Sequence, residues 1–253
     1  MFQFAFGLAT AIRLGTDFAM NDDLLRPAFR LGPWASPIRR ARRASAYRIA
    51  KRRALRRVVK IDNADDPDLV VQSLSDHVHY SGFFQSPRYF HNAAPEVRAA
   101  FQPRAHHIAK FLERYRELVD TSYVCCHVRR TDYERTGFVL PISYYRESLR
   151  VAHVPEGTPI VFIGDDLEEV EREFGGEPNI RMEHNDETVD LQLLINASAV
   201  VTSNSSFGWW GSWLGAAERP IYAPKYWLGS KGGVESPQAV LPPEWHQVAT
   251  LAS

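Results

Sequence analysis

Two adjacent guanidiniums at the end of an apolar run are the residues of this chain best suited to chemistry. Residues 122–128 read as a buried strand without a breaker; His127 is its next-to-last residue, and Arg129, Arg130 and Asp132 follow at its carboxyl end. In open α/β sheets ligands bind just outside the carboxyl ends of the strands. Arginine binds phosphate oxygens bidentately with a charge that never titrates, so Arg129 and Arg130 suit a phosphorylated ligand. A surface ion pair between Arg130 and Asp132 would explain the same residues without a ligand.

The pattern occurs twice more. Residues 160–163 form an apolar run ending in Gly164, Asp165 and Asp166. Residues 199–202 form another, which runs into Ser203, Asn204, Ser205 and Ser206 just before a helix. If the three strands are neighbours, cations, carboxylates and hydroxyls face one crevice. Together they could hold a nucleoside diphosphate. The two arginines would neutralise the phosphates. Asn204, Ser205 and Ser206 would sit at a helix amino terminus with free N–H groups. Asp165 or Asp166 would accept two N–H bonds from a guanine edge. Helix capping is the plainer explanation for Asp165 and for 203–206. Core packing is the plainer one for Trp209, Trp210 and Trp213.

These residues need a scaffold, and the rest of the chain supplies the signs of one. It has 253 residues, 45% hydrophobic and 24% charged, with no net charge, which argues for a globular protein and against general nucleic-acid binding. Strands and helices alternate from 122 to 223, as in a parallel sheet with crossover helices. Helices are expected from residue 1 to 12, after Pro95, after Pro103, over 143–151, after Asp166 and over 189–195. Strands are expected at 16–20, 69–73, 77–84 and 180–182, and the last at 220–223. Ile108, Phe111, Leu112, Tyr115, Leu118 and Val119 recur at helical spacing and should face a core. His106 and His107 do not share a helix face and read as surface residues, not metal ligands. Cys125 and Cys126 are adjacent on a strand and point to opposite faces, so a reduced, cytoplasmic setting is expected. No apolar run is long enough for a membrane span. Residues 38–60 hold eleven Lys or Arg and no acid. They read as a solvated helix on an insertion, or as a dock for an anionic membrane or a lipid-linked acidic acceptor.

Taken together the motifs resemble the α-1,2-fucosyltransferase family, glycosyltransferase family 11, related to α-1,6- and protein O-fucosyltransferases. The family pattern His-x-Arg-Arg-x-Asp-Tyr stands at His127 to Tyr133. Its Ser-Asp-Asp element stands at Gly164, Asp165 and Asp166. Its Ser-Asn-Ser-Ser/Thr-Phe-Ser-Trp-Trp-Gly/Ala-x-Trp-Leu block runs from Ser203 to Leu214. Gly82 to Phe90, Ile221 to Trp227 and Leu241 to Trp245 give shorter matches. The resemblance implies a GT-B-like α/β fold, a GDP-fucose donor, a galactose-type glycan or lipid-linked oligosaccharide acceptor, and inverting, metal-independent transfer without a cofactor. It places the phosphate contact on Arg129, the guanine contact on Asp166, and nucleotide-facing serines at Ser205 and Ser206. His127 and Asn204 join this donor-binding set. Arg129, Arg130 and Asp132 are the expected catalytic residues. Asp132 is put forward as general base, with Glu134 and His127 as alternatives. Residues 1–120 would form the acceptor-side domain and 121–253 the GDP-binding domain. Family members begin with a strand and a Gly-rich turn, and Met1 to Gly7 matches the stretch that follows. The expectation is therefore that the first strand is missing, through a late start assignment or a truncation. The alternatives are an inactive remnant or a transferase using another nucleotide sugar.

Overall fold

A computed structural model describes residues 1–20, 23–31, 57–228 and 232–250. The chain divides into two compact units, Met1–Arg104 with Ser236–Pro242, and Ala105–Glu235 with Pro243–Ser253. The junction precedes the break expected after residue 120, because the helix beginning at Ala105 packs within the second unit.

The first unit begins with α1 (Phe2–Leu14), which buries Phe2, Phe4, Phe6 and Leu8. Phe6 stacks on Phe84 at 3.8 Å, and Tyr89 meets Phe6 edge-on at 5.7 Å, so the aromatic segment 82–90 packs on α1. Gly15, at φ 62°, ends the helix in a left-handed cap that L side chains rarely adopt. Residues 16–20 then form no strand, contrary to expectation. β1 (Val58–Lys60) pairs in parallel with β2 (His79–Ser81). The basic segment expected as a helix therefore ends as a strand, and its part up to residue 56 lies outside the described residues. Between the two strands lies α2 (Pro67–Ser73), where a strand was expected over 69–73. The local signals decide it. The Asp66 carboxylate accepts from the amides of Asp68 and Leu69, and Pro67 occupies the first turn. A 3₁₀ turn at Pro87–Tyr89 and α3 (Ala94–Ala100), with Pro95 in its first turn, complete the unit.

The second unit opens with α4 (Ala105–Arg114) and α5 (Arg116–Val119). Phe111, Tyr115 and Leu118 are buried, whereas Leu112 and Val119 are exposed. The expected core stripe is narrower because the backbone leaves the helix at Tyr115, and the face rotates there. Then follow β3 (Val124–Val128), α6 (Thr131–Thr136), α7 (Ile142–Val151), β4 (Ile160–Gly164), α8 (Glu168–Phe174), β5 (Ile180–Glu183), α9 (Glu187–Asn196), β6 (Ala199–Val201), α10 (Ser206–Leu214), β7 (Ile221–Pro224) and β8 (His246–Val248). All six strands run parallel in the order β5-β4-β3-β6-β7-β8. β8 was not foreseen. It is three residues long with a single buried side chain, which leaves little pattern to read.

The alternation of β3 splits its two cysteines. Cys126 joins a core with Tyr144, Tyr145, Phe162, Val170 and Phe174, and Cys125 faces away from it. Both are free and buried, and burial pushes both thiols well above their usual pKa, so neither is a reactive thiolate. Trp209, Trp210 and Trp213 are buried as expected, with Trp245 at 5.6 Å from Trp209.

A buried cation locks the two helices that follow β5 and β6. Arg219 Nη1 donates to the carbonyls of Leu194, Ile195 and Ala197, where α9 ends, and Nη2 to those of Gly211 and Ser212 near the end of α10. These are the carbonyls a helix leaves without partners, at the negative end of its dipole. The guanidinium fits only because residue 215 is glycine: a Cβ there would lie 2.2 Å from Arg219 Cζ.

Candidate functional site

The three polar strand ends lie side by side. β3 sits between β4 and β6, with Val128 opposite Gly164 and Cys126 opposite Val201. Val128 and Gly164 are in close contact: a Cβ on Gly164 would fall 2.4 Å from the Val128 carbonyl oxygen. The serine of the family pattern would therefore force these two strand ends apart here.

Arg129 stands at the centre. Its Nε lies 2.8 Å from Asp132 Oδ1 and its Nη1 lies 3.0 Å from Asp165 Oδ2. Partial burial opposes its charge, but the Asp132 hydrogen bond and the Asp165 charge outweigh that and raise its pKa. Asp165 is fully engaged. Its Oδ1 accepts from the Arg130 amide at 2.9 Å, and its Oδ2 accepts from the Thr131 hydroxyl at 2.6 Å as well as from Arg129. Burial works against its charge, yet these bonds hold its pKa below the usual value. It ties the start of α6 to the end of β4.

Arg130 points elsewhere. Its side chain is 9% exposed against 36% for Arg129. Its Nη2 pairs with Glu169 at 2.8 Å, with Glu134 at 4.0 Å, and its Nε stands 3.7 Å from Asp166 Oδ2. Of the two guanidiniums, Arg129 is the accessible one, and Arg130 binds α6 to α8. Asp166 Oδ1 also accepts from the Glu168 amide at 3.1 Å, so neither carboxylate of the Asp-Asp pair is without a partner in the chain.

His127 is buried, with Nδ1 2.8 Å from Ser203 Oγ. Burial lowers its pKa to about 4 despite the nearby Asp165, so it is neutral at physiological pH. A weak base of this kind is poorly matched to accepting a proton at pH 7. Gly208 presses against it, since a Cβ there would lie 2.9 Å from Nδ1. Ser205 caps α10, its Oγ accepting from Phe207 N at 3.3 Å, and Ser206 is exposed in the first turn. Asn204 is buried. Its Nδ2 donates to Phe138 O at 2.9 Å and its backbone carbonyl accepts from Tyr133 OH at 3.1 Å. The loop before α10 is thereby fastened to α6 and the segment after it. The arginine-bearing and serine-bearing strand ends are therefore neighbours.

One buried acid outside these strand ends was missed in the sequence. Asp190, in the first turn of α9, is buried, and its Oδ1 accepts from Asn185 Nδ2 at 3.0 Å, just beyond β5. Burial raises its pKa to about 6. The Asn185 bond and Arg114 oppose the rise, and Asp186 and Glu183 add to it. A carboxylate held ionised against its surroundings marks a functional candidate. It lies in the run 189–195 together with the polar Gln192, and polar side chains at these positions read as a solvent-facing side of the helix. With a folded pKa of about 6 against an ordinary 3.8, the native state binds the proton more tightly. Asp190 should therefore cost stability progressively as pH rises through that window, by about 2–3 kcal/mol above it. Asp190→Asn should be more stable than wild type at pH 7 and equal to it near pH 4. Urea unfolding at both pH values checks this; an unchanged gap between the two proteins would refute it.

Among the described residues no cluster of His, Cys, Asp and Glu could hold a metal ion, and no helix is long and apolar enough to cross a membrane.

A parallel sheet whose adjacent strand ends gather cations, acids and hydroxyls before a helix amino terminus defines an α/β ligand-binding unit. The chain belongs to glycosyl transferase family 11, whose pattern matches residues 56–249. It is similar to an alpha-1,2-colitosyltransferase of Escherichia coli, 31% identical over 173 residues, which are 62% of this chain and 58% of that protein. It is also similar to a galactoside 2-alpha-L-fucosyltransferase of Caenorhabditis elegans, 26% identical over 232 residues, which are 74% of this chain and 56% of that protein. The chain thus spans less than two thirds of the length of either relative. The crystal structure of the fucosyltransferase NodZ from Bradyrhizobium matches with a TM-score of 0.54 and 13% identity, over 85% of this chain and 88% of that one. The fold is accordingly the GT-B-like α/β arrangement expected from the motifs.

Proposed function

We propose that the protein is an inverting glycosyltransferase that moves L-fucose from GDP-fucose to a galactose-type hydroxyl of a glycan. The observation that carries this reading is Arg129: a partly exposed guanidinium at the end of the central strand β3, held by Asp132 and Asp165. The family membership and the α-1,2-fucosyl relative support it.

The acceptor hydroxyl attacks the anomeric carbon from the face opposite the diphosphate. The new C–O bond forms as the bond to the β-phosphate oxygen breaks, and that electron pair leaves on GDP. Arg129 and the amides at the start of α10 meet the growing negative charge, which is preorganised electrostatic stabilisation. Asp132, with a 59%-exposed side chain, accepts the hydroxyl proton and releases it to water. His127, neutral, serves the donor as a hydrogen-bonding group. Arg130 and Asp165 keep α6 in place. No metal enters this scheme.

A second sugar is favoured by a specific finding. The colitosyl relative shares more identity than the fucosyl one, over a shorter stretch. A panel of nucleotide sugars, scored by nucleotide release with and without galactoside acceptors, decides between them. Acceptor-dependent GDP release from GDP-fucose is the expected result. Release only from another donor would replace the fucosyl assignment, and no release from any donor would remove the transferase reading.

A further inference from the structure

Arg129 already carries two carboxylates in the free protein, and they differ in kind. Asp165 is largely covered, with a 20%-exposed side chain, and is bonded in addition to the Arg130 amide and the Thr131 hydroxyl. Asp132 is 59% exposed and stands 2.8 Å from Nε. The first is a fixture, and the second is a solvent-exposed pair, weakly held in water. A phosphate that takes a guanidinium bidentately needs two N–H groups on one edge. Asp132 holds Nε on one edge, while Asp165 holds Nη1.

We propose that Asp132 is a displaceable counter-ion. The diphosphate of the donor takes its place on Arg129, and only the released carboxylate is free to accept a proton. This rests on the proposed transfer reaction and adds a coupling to it. While Asp132 neutralises Arg129, the site has neither its phosphate cation nor its base. Donor binding supplies both, so the site becomes competent for acceptor attack only after the donor is seated. The exchange moves one ion pair and forms no covalent bond.

The coupling gives Asp132→Asn two effects of opposite sense. Without the competing charge, GDP should bind about two- to fivefold more tightly than to wild type, in keeping with an exposed pair. Turnover should fall by about 10²-fold or more, as for loss of a general base. Inorganic pyrophosphate, which has no base to read, should show the same gain. A merely structural role for Asp132 would weaken both ligands. Titration calorimetry with GDP and pyrophosphate, on wild type, Asp132→Asn and Asp132→Ala, reads the affinities, and thermal unfolding verifies that each variant is folded. Tighter binding of both ligands by the variants sustains the exchange. Equal or weaker GDP binding by folded variants overturns it while leaving the transferase reading intact. A gain with pyrophosphate, but GDP bound no better than pyrophosphate, keeps the exchange and removes the nucleotide assignment. If no protein of the series binds either ligand, both readings fall together.

Discussion

Arg129→Ala is expected to lower turnover with GDP-fucose by about 10²–10³-fold, with unfolding stability changed far less than activity. The side chain is 36% exposed and its guanidinium stands over the ring of Tyr133 at 5.9 Å, so its removal costs little packing. It leaves Asp165 with the Arg130 amide and Thr131 hydroxyl as partners, and Asp132 in solvent. The loss should therefore fall on the step where charge builds on the leaving diphosphate. Arg129→Lys should recover only part of it, because an ammonium cannot form the bidentate contact and does not reach both carboxylates in the same way. Initial rates with saturating donor, together with a GDP-binding measurement, check the assignment. Full activity in Arg129→Ala would refute it.

The second large effect concerns stability. Arg219→Ala should destabilise the protein by about 3 kcal/mol or more, because each carbonyl left buried without a donor costs about 1–3 kcal/mol. Five carbonyls at two helix ends lose their donor together. Arg219→Lys should recover little, since an ammonium has three donors and cannot span both ends. Denaturant titration of the three proteins measures the difference, and a loss under about 1 kcal/mol in Arg219→Ala would show that water replaces the guanidinium. Gly215→Ala should resemble the arginine loss, because the added carbon occupies the guanidinium position.

Much of the site was legible because its parts end apolar strands. Buried strands at 124–128 and 160–164 stop where the charges begin, so the sequence shows both the strand and its reactive end. Their adjacency was not readable from local pattern, and the order β4-β3-β6 supplies it. The division of labour between Arg129 and Arg130 was also hidden. The two residues are neighbours of identical type, and only the fold turns one to Asp132 and Asp165 and the other toward Glu169. Asp190 escaped notice for the converse reason, since its burial comes from packing of distant elements. Elsewhere, capping chemistry outweighed periodicity. Asp66 and Pro67 impose a helix on a Leu-Val-Val run that on side-chain type alone suits a strand.

The tryptophans have a practical consequence. Of six in the chain, Trp209, Trp210, Trp213, Trp227 and Trp245 all belong to the second unit, each at most 8% exposed. Emission from these five indoles will consequently be blue-shifted in the native protein and will originate mainly around α10. The sixth, Trp34, falls within the sequence span of the first unit, so with Trp34 replaced by Phe a melt followed by this fluorescence monitors the half that carries Arg129 and Ser205. Loosening of the other half needs a different probe, such as circular dichroism of α1 or tyrosine absorbance.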